Sequence, residues 1–282
     1  MAGRLQFTLS WGSGRFGRAA LGPLHAAGAG GRASAFSPEL RAALSFIRDL
    51  LVDPSTGEPR LRPRKFSYKR SRRPAVLVWS DACWEAAADR PAGVGFVVFF
   101  PASAAASHAA RRSRTSPPWL LGASTPPGEW RFASYAPAPA EFAHWRERTQ
   151  YIGLLELLAA IAVYYSLAAE LKGREVIHFL DNSGAMACLI KNYASDVDGS
   201  RLVHSFWALA VALEIDVWFE FCYSGANVAD WPSRGLVDFA ADLRARAVHP
   251  VVLPPSESWG SVEAALGFAG EVPEPPPKRA RR

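Results

Sequence analysis

The stretch EVIHFLDNSGAMACLI, Glu175 to Ile190, carries the decisive change of pattern in this sequence. EVIHFLD, Glu175 to Asp181, has the apolar run of a short strand, and NSGAMACLI then turns straight into a helix. Asp181 therefore sits where the chain leaves a sheet for a helix, the place where ligands gather in α/β folds. A plain N-cap is the competing reading of the same residue.

Just upstream, RTQYIGLLELLAAIAVYYSLAAELKG predicts a helix that is apolar on nearly every side and ends at Lys172 and Gly173. Before it, AVLVWSDAC (Ala75 to Cys83) has the continuous apolar character of a central strand. GVGFVVFF (Gly93 to Phe100) and EWRFASY (Glu129 to Tyr135) predict a second and a third strand, antiparallel to their neighbours. Pro101 to Pro127 reads as an insertion or long loop. Downstream, Ser200 to Leu213 predicts a helix, EIDVWFEFC (Glu214 to Cys222) a last strand, and Leu236 to Arg246 a weak helix. Three strands in meander followed by helix–strand crossovers give a mixed five-stranded α/β sheet with helices packed on it.

Four carboxylates stand out on this frame. Asp81 lies near the end of the first strand, Glu156 inside the apolar helix, Asp181 at the end of the fourth strand, and Asp230 in GANVADWPSRG beyond the last strand. Taken singly, Asp81 and Asp181 pass for caps, Asp230 for a turn residue and Glu156 for a buried ion-pair partner. Together, with the two strands side by side and the helix crossing them, three meet at one edge of the sheet and the fourth closes the group. Such a cluster repels itself without cations, so it predicts divalent metal with oxygen ligands, Mg2+ or Mn2+.

The flanks differ from this domain. Up to Pro74 there are 14 Lys/Arg against 4 Asp/Glu, and from Ala75 onward 18 against 22. The positive charge is concentrated in RLRPRKFSYKRSRR, Arg60 to Arg73, where Arg64, Lys65, Lys69 and Arg70 alternate with Phe66 and Tyr68. That strip suits a phosphate backbone with some base stacking, or else a solvated linker. The expected organisation is a disordered leader over 1–36, a helix and basic linker over 37–74, the α/β domain over 75–246, and a Pro-rich tail over 247–282. The tail ends in KRARR, a nuclear import signal, a phosphate contact or a solubilising end by composition. Cys83, Cys188 and Cys222 form no CxxC pair, which points to reduced, intracellular life. No uncharged apolar run reaches membrane-spanning length.

SDAC at Ser80, the LLELLA helix, FLDNSGA and SGANVADWPSRG together resemble the RNase H segment of reverse transcriptases. The resemblance is strongest to the variant of tyrosine-recombinase, DIRS-like retroelements, with the polymerase domain absent. It covers roughly 160 residues, more than half the chain. It implies an RNase H-like sheet, Asp81, Glu156, Asp181 and Asp230 as metal-binding catalytic carboxylates, and two Mg2+ or Mn2+ ions. Hydrolysis of the RNA strand of an RNA–DNA hybrid is the activity it implies. Asn182, Ser183 and Asn227 become candidates for sugar or backbone contacts, and Arg234 for a phosphate contact. The segment over 37–74 becomes a possible remnant of a polymerase thumb or connection, with a reverse transcriptase polymerase domain in trans as a partner. One departure is plain: the loop after the last strand, Cys222, Tyr223 and Ser224, lacks the family's usual histidine. The alternatives are an inactive nucleic-acid-binding relic, an exonuclease or resolvase acting on DNA, and a purely structural α/β domain.

Overall fold

In the computed structural model, which describes residues 18–29, 37–52, 56–58, 73–86, 90–111 and 125–254, the expected strands join one sheet. They are β1 (Val76–Trp84), β2 (Ala92–Pro101), β3 (Gly128–Tyr135), β4 (Glu175–Leu180) and β5 (Asp216–Phe221). A two-residue strand, β6 (Arg246–Ala247), adds to the outer edge of β3, so the order is β5-β4-β1-β2-β3-β6. β1, β2 and β3 pair antiparallel, whereas β4 joins β1 and β5 joins β4 in parallel. The fold is RNase H-like.

The alternation of β1 explains why both faces of the sheet are covered. Val76, Val78 and Ala82 point into the larger core, and Leu77 and Trp79 into the smaller one. Among the helices, α1 (Leu21–Ala29), α2 (Pro38–Leu51), α3 (Ala104–Arg111), α4 (Ile152–Ser166), α5 (Ser183–Lys191) and α6 (Val197–Ala212) come first. Two short ones follow, α7 (Asp230–Ser233) and α8 (Phe239–Leu243). α4 lies on the larger core with every residue from Leu154 to Tyr165 buried, which accounts for its all-round apolar sequence. Each such aliphatic side chain contributes about 1.5–3 kcal/mol. The smaller core is closed by α3, α8 and the Val228–Ala229 segment.

Ser37 caps α2, accepting from Leu40 N at 3.2 Å. Ala43, Phe46 and Ile47 of α2 are buried in the larger core, so this helix packs on the domain itself. Two expectations need adjustment. Part of the leader, Arg18 to Ala29, is helical, and its Ala20 and Leu21 are buried in the larger core. Part of the expected long loop, Ala104 to Arg111, is also helical, with Ala106 and Ala110 against the sheet. Alanine explains both, because it is the strongest helix former even where low complexity hides a pattern. Among the described residues no helix is long and apolar enough to cross a membrane.

Candidate metal centre

The site grows out of strand register. Trp79 of β1 pairs with Phe179 of β4, and two further residues along both strands bring Asp81 beside Asp181. α4 crosses at this point and supplies Glu156. One ligand oxygen from each of Asp81, Glu156 and Asp181 lies within 4.8 Å of the others. Asp81 and Glu156 are buried and Asp181 is half-buried.

Each carboxylate is held from one side. Ser233 Oγ donates to Asp81 Oδ2 at 2.6 Å. Asn227 Nδ2 donates to Asp181 Oδ1 at 3.0 Å and also to the Ser80 carbonyl at 3.1 Å. Asn182, rather than Asp181, is the N-cap of α5, accepting from Ala185 N at 3.0 Å. Its side chain also hydrogen-bonds Glu156. Three polar side chains thus orient three acids.

The electrostatics of the cluster are unfavourable as it stands. Burial, with the charges of Asp181 and Asp230, raises Asp81 to about 7, against the favourable hydrogen bond from Ser233. Burial also raises Glu156 to about 9, and Asp81 and Asp181 push in the same direction. Glu156 Oε2 is buried with no hydrogen-bond partner, and Glu156 has no cationic partner among the described residues, so the ion-pair reading of this residue fails. An unsatisfied carboxylate oxygen inside a knot of acids is what a divalent cation would satisfy. The donor set is all oxygen, which suits Mg2+ or Mn2+.

The order of glycines in GVGFVVFF belongs to this site. A Cβ on Gly95 would lie 2.2 Å from Ser233 N, and one on Gly93 would lie 1.9 Å from the Ser233 carbonyl oxygen. Gly95 is the cross-strand partner of Asp81 and Gly93 that of Cys83. The two glycines let α7 sit directly on β2, which delivers the Ser233 hydroxyl to Asp81. Cys83 Sγ fastens the same turn through the Ser233 carbonyl at 3.1 Å.

Of the other expected site residues, Asp230 heads α7 and stands outside the three-acid group, ion-paired with Arg234 at 2.9 Å. Ser183 is exposed at the start of α5 and Arg234 is exposed beside the site. Asn227 requires a correction as a nucleic-acid contact. It is buried, both amide hydrogens are committed, and its Oδ1 accepts from Ala229 N at 3.2 Å. It is a positioning residue. Arg64, Lys65, Lys69 and Arg70 lie outside the described residues.

Neither buried histidine serves as the missing loop histidine. His178 is on β4 beside β1, its ring held between Ser80 Oγ at 2.9 Å and Tyr164 OH at 3.0 Å, and burial lowers it to about 3. His204 packs edge-on against Phe46, with ring centroids 4.2 Å apart. Sequence reasoning missed Ser233, Gly93 and Gly95. The first lies in NVADWPSRG and the other two in GVGFVVFF, so the segments were visible while their contacts were not.

No protein-family model, curated protein or solved structure matches the chain. The buried acid cluster on an RNase H-like sheet is a group of residues able to chelate a divalent metal, consistent with a nuclease-type active site.

Proposed function

We propose that this protein is a metal-dependent endonuclease that hydrolyses the RNA strand of RNA–DNA hybrids and derives from a DIRS-like retroelement reverse transcriptase. The observation that carries the reading is the convergence of Asp81, Glu156 and Asp181 within 4.8 Å at the β1–β4 junction. The DNSGA and NVADWPSRG segments, which supply Asp181, Asn182, Asn227 and Ser233, favour RNase H over a DNA nuclease with similarly placed acids.

Asp81, Glu156 and Asp181 would hold Mg2+ or Mn2+, two ions in the full reading, with Asp230 as the fourth acid. When bound, the cation supplies Lewis acidity and neutralises charge at the scissile phosphodiester. The chain's own residues do the rest. Ser233 and Asn227 fix the acids so that their free oxygens face a common centre. Burial of Asp81 and Glu156 keeps that centre away from bulk water, and the lower local dielectric strengthens electrostatic attraction to a cation. Ser183, exposed at the start of α5 with the N-terminal amides of the helix behind it, would offer a contact to a sugar–phosphate chain. Arg234 offers a phosphate contact, and the basic strip over 60–73 extends the footprint.

The test is cleavage of a labelled RNA–DNA hybrid by the full chain with Mg2+ or Mn2+, next to the Asp181→Asn variant, duplex DNA and duplex RNA. Cleavage confined to the RNA of the hybrid and lost in the variant is the expected result. Cleavage of DNA instead assigns an exonuclease or resolvase activity. Absence of cleavage by folded protein assigns a binding relic.

A further inference from the structure

Among the described residues, Asp230 is the one acid of the four whose side chain is already engaged by a cation. Its Oδ1 accepts from Arg234 Nε at 2.9 Å, one turn along α7. The two side chains are 38% and 57% exposed, so the pair stands at the surface beside the three-acid group. It is close enough to belong to the same field, because the charge of Asp230 acts on both Asp81 and Glu156 and that of Arg234 on Asp81.

Arg234 also faces a cleft of about 730 Å³ whose walls include Ala82, Cys83, Arg90, Tyr135 and Ser233. Ala82 and Cys83 follow Asp81 directly on β1, so the cleft opens beside the metal-binding acids. Arg90 and Arg234 both line this space, together with the acidic Glu85. An exposed ion pair one helical turn apart is among the weakest in a protein. A phosphodiester presents two acceptor oxygens that match the guanidinium fork. Exchange of one acceptor for the other therefore costs little.

We propose that Arg234 is a latch that a nucleic-acid phosphate releases. In the free protein it holds Asp230 away from the three acids. When a phosphate enters the cleft, Arg234 turns to it, and Asp230 is freed to complete the metal ligands. This rests on the nuclease reading of the site. Arg234 is on this account a positioning residue for Asp230, and metal and nucleic acid each tighten the binding of the other.

The experiment is a Mn2+ titration of the full chain, following free Mn2+ by electron paramagnetic resonance. It compares the native protein with Arg234→Met, Asp230→Asn and the double variant, each checked by thermal melt. The latch predicts that Arg234→Met tightens Mn2+ binding about three- to tenfold, and that the gain disappears in the Asp230→Asn background. A second arm adds a hybrid whose RNA strand is 2′-O-methylated and resists cleavage. It should tighten Mn2+ binding to the native protein by a larger factor than to the Asp230→Asn variant, and an equal gain in both overturns the latch. An equal gain from Arg234→Met in both backgrounds would mean that Arg234 acts by charge alone, and the latch is overturned. No gain in either background overturns it as well. Failure of the native protein to take up Mn2+, or equal uptake by Asp181→Asn, removes the metal centre itself, and with it the latch.

Discussion

Asn227 holds Asp181, donating from its side-chain amide to Oδ1 at 3.0 Å while it ties the same amide to the Ser80 carbonyl at 3.1 Å. One buried amide thereby sets the spacing between Ser80 in the middle of β1 and the acid at the end of β4. Asn227→Ala should weaken Mn2+ binding and any cleavage by about 10- to 100-fold, the usual effect of losing a group that orients a metal ligand. It should also cost about 1–3 kcal/mol of stability by leaving the Ser80 carbonyl unsatisfied. Mn2+ titration and urea unfolding of the same preparation measure the two effects. Unchanged metal affinity would remove the positioning role.

The glycines of β2 give a second test. Gly95→Ala places a methyl group 2.2 Å from the backbone nitrogen of Ser233, where no flexible side chain can yield. α7 must lift from the sheet, at a cost of about 1–3 kcal/mol or more, and the hydroxyl of Ser233 leaves Asp81. Ser233→Ala should reproduce the loss of metal affinity with a smaller loss of stability. A Gly95→Ala protein with native melting temperature and metal binding would contradict this packing.

The pH dependence of the metal-free protein follows from three groups. Burial lowers His178 to about 3 from an ordinary 6.5, so the folded state binds fewer protons than the unfolded one across that interval and stability rises with pH. Asp81 is raised to about 7 and Glu156 to about 9. Their contribution is complete below the ordinary carboxylate range and is lost as pH rises through those values. Above pH 6.5 only the two acids act. Stability without metal should therefore fall from pH 6.5 to 9, by about 1.4 kcal/mol per pH unit while one such group titrates. Saturating Mn2+ should flatten the fall, and Mn2+ affinity should rise over the same interval as protons leave the acids. Melting curves with and without Mn2+ measure both, and a metal-free protein equally stable at pH 6.5 and 9 would contradict them.

His178 itself should be structural. It is neutral and enclosed by Ser80 and Tyr164, so His178→Gln should lower the unfolding free energy by about 1–3 kcal/mol. The shape of the pH–rate profile between pH 6 and 8 should not change. Loss of an acidic limb from that profile would make His178 a proton-transfer group.

Much of this architecture was legible because its signals are local. The apolar run of Val76 to Trp79, the strand-to-helix switch at Asp181, and a carboxylate in the all-apolar helix around Glu156 each stand out within a few residues. Their meeting follows from parallel pairing of β1 with β4. What depends on contacts over long sequence separations was not legible. Ser233 reaches Asp81 across 152 positions, and Asn227 reaches Ser80 across 147. The roles of Gly93 and Gly95 are defined only by the turn that lands on them. Asn227 misled for the same reason, since an asparagine beside an expected active site has no sequence mark that separates an orienting residue from a substrate contact. Asp230 falls between the two cases. Its place beyond the last strand was readable, but its pairing with Arg234 depends on the single turn of α7.

The most direct test of the central claim is anomalous scattering from crystals of the protein soaked in Mn2+. A manganese peak in direct coordination contact with Asp81, Glu156 and Asp181, absent from crystals of Asp181→Asn, is the result this structure predicts. Native crystals with no peak at that junction, while the three acids keep the arrangement described, would contradict the assignment of a metal centre.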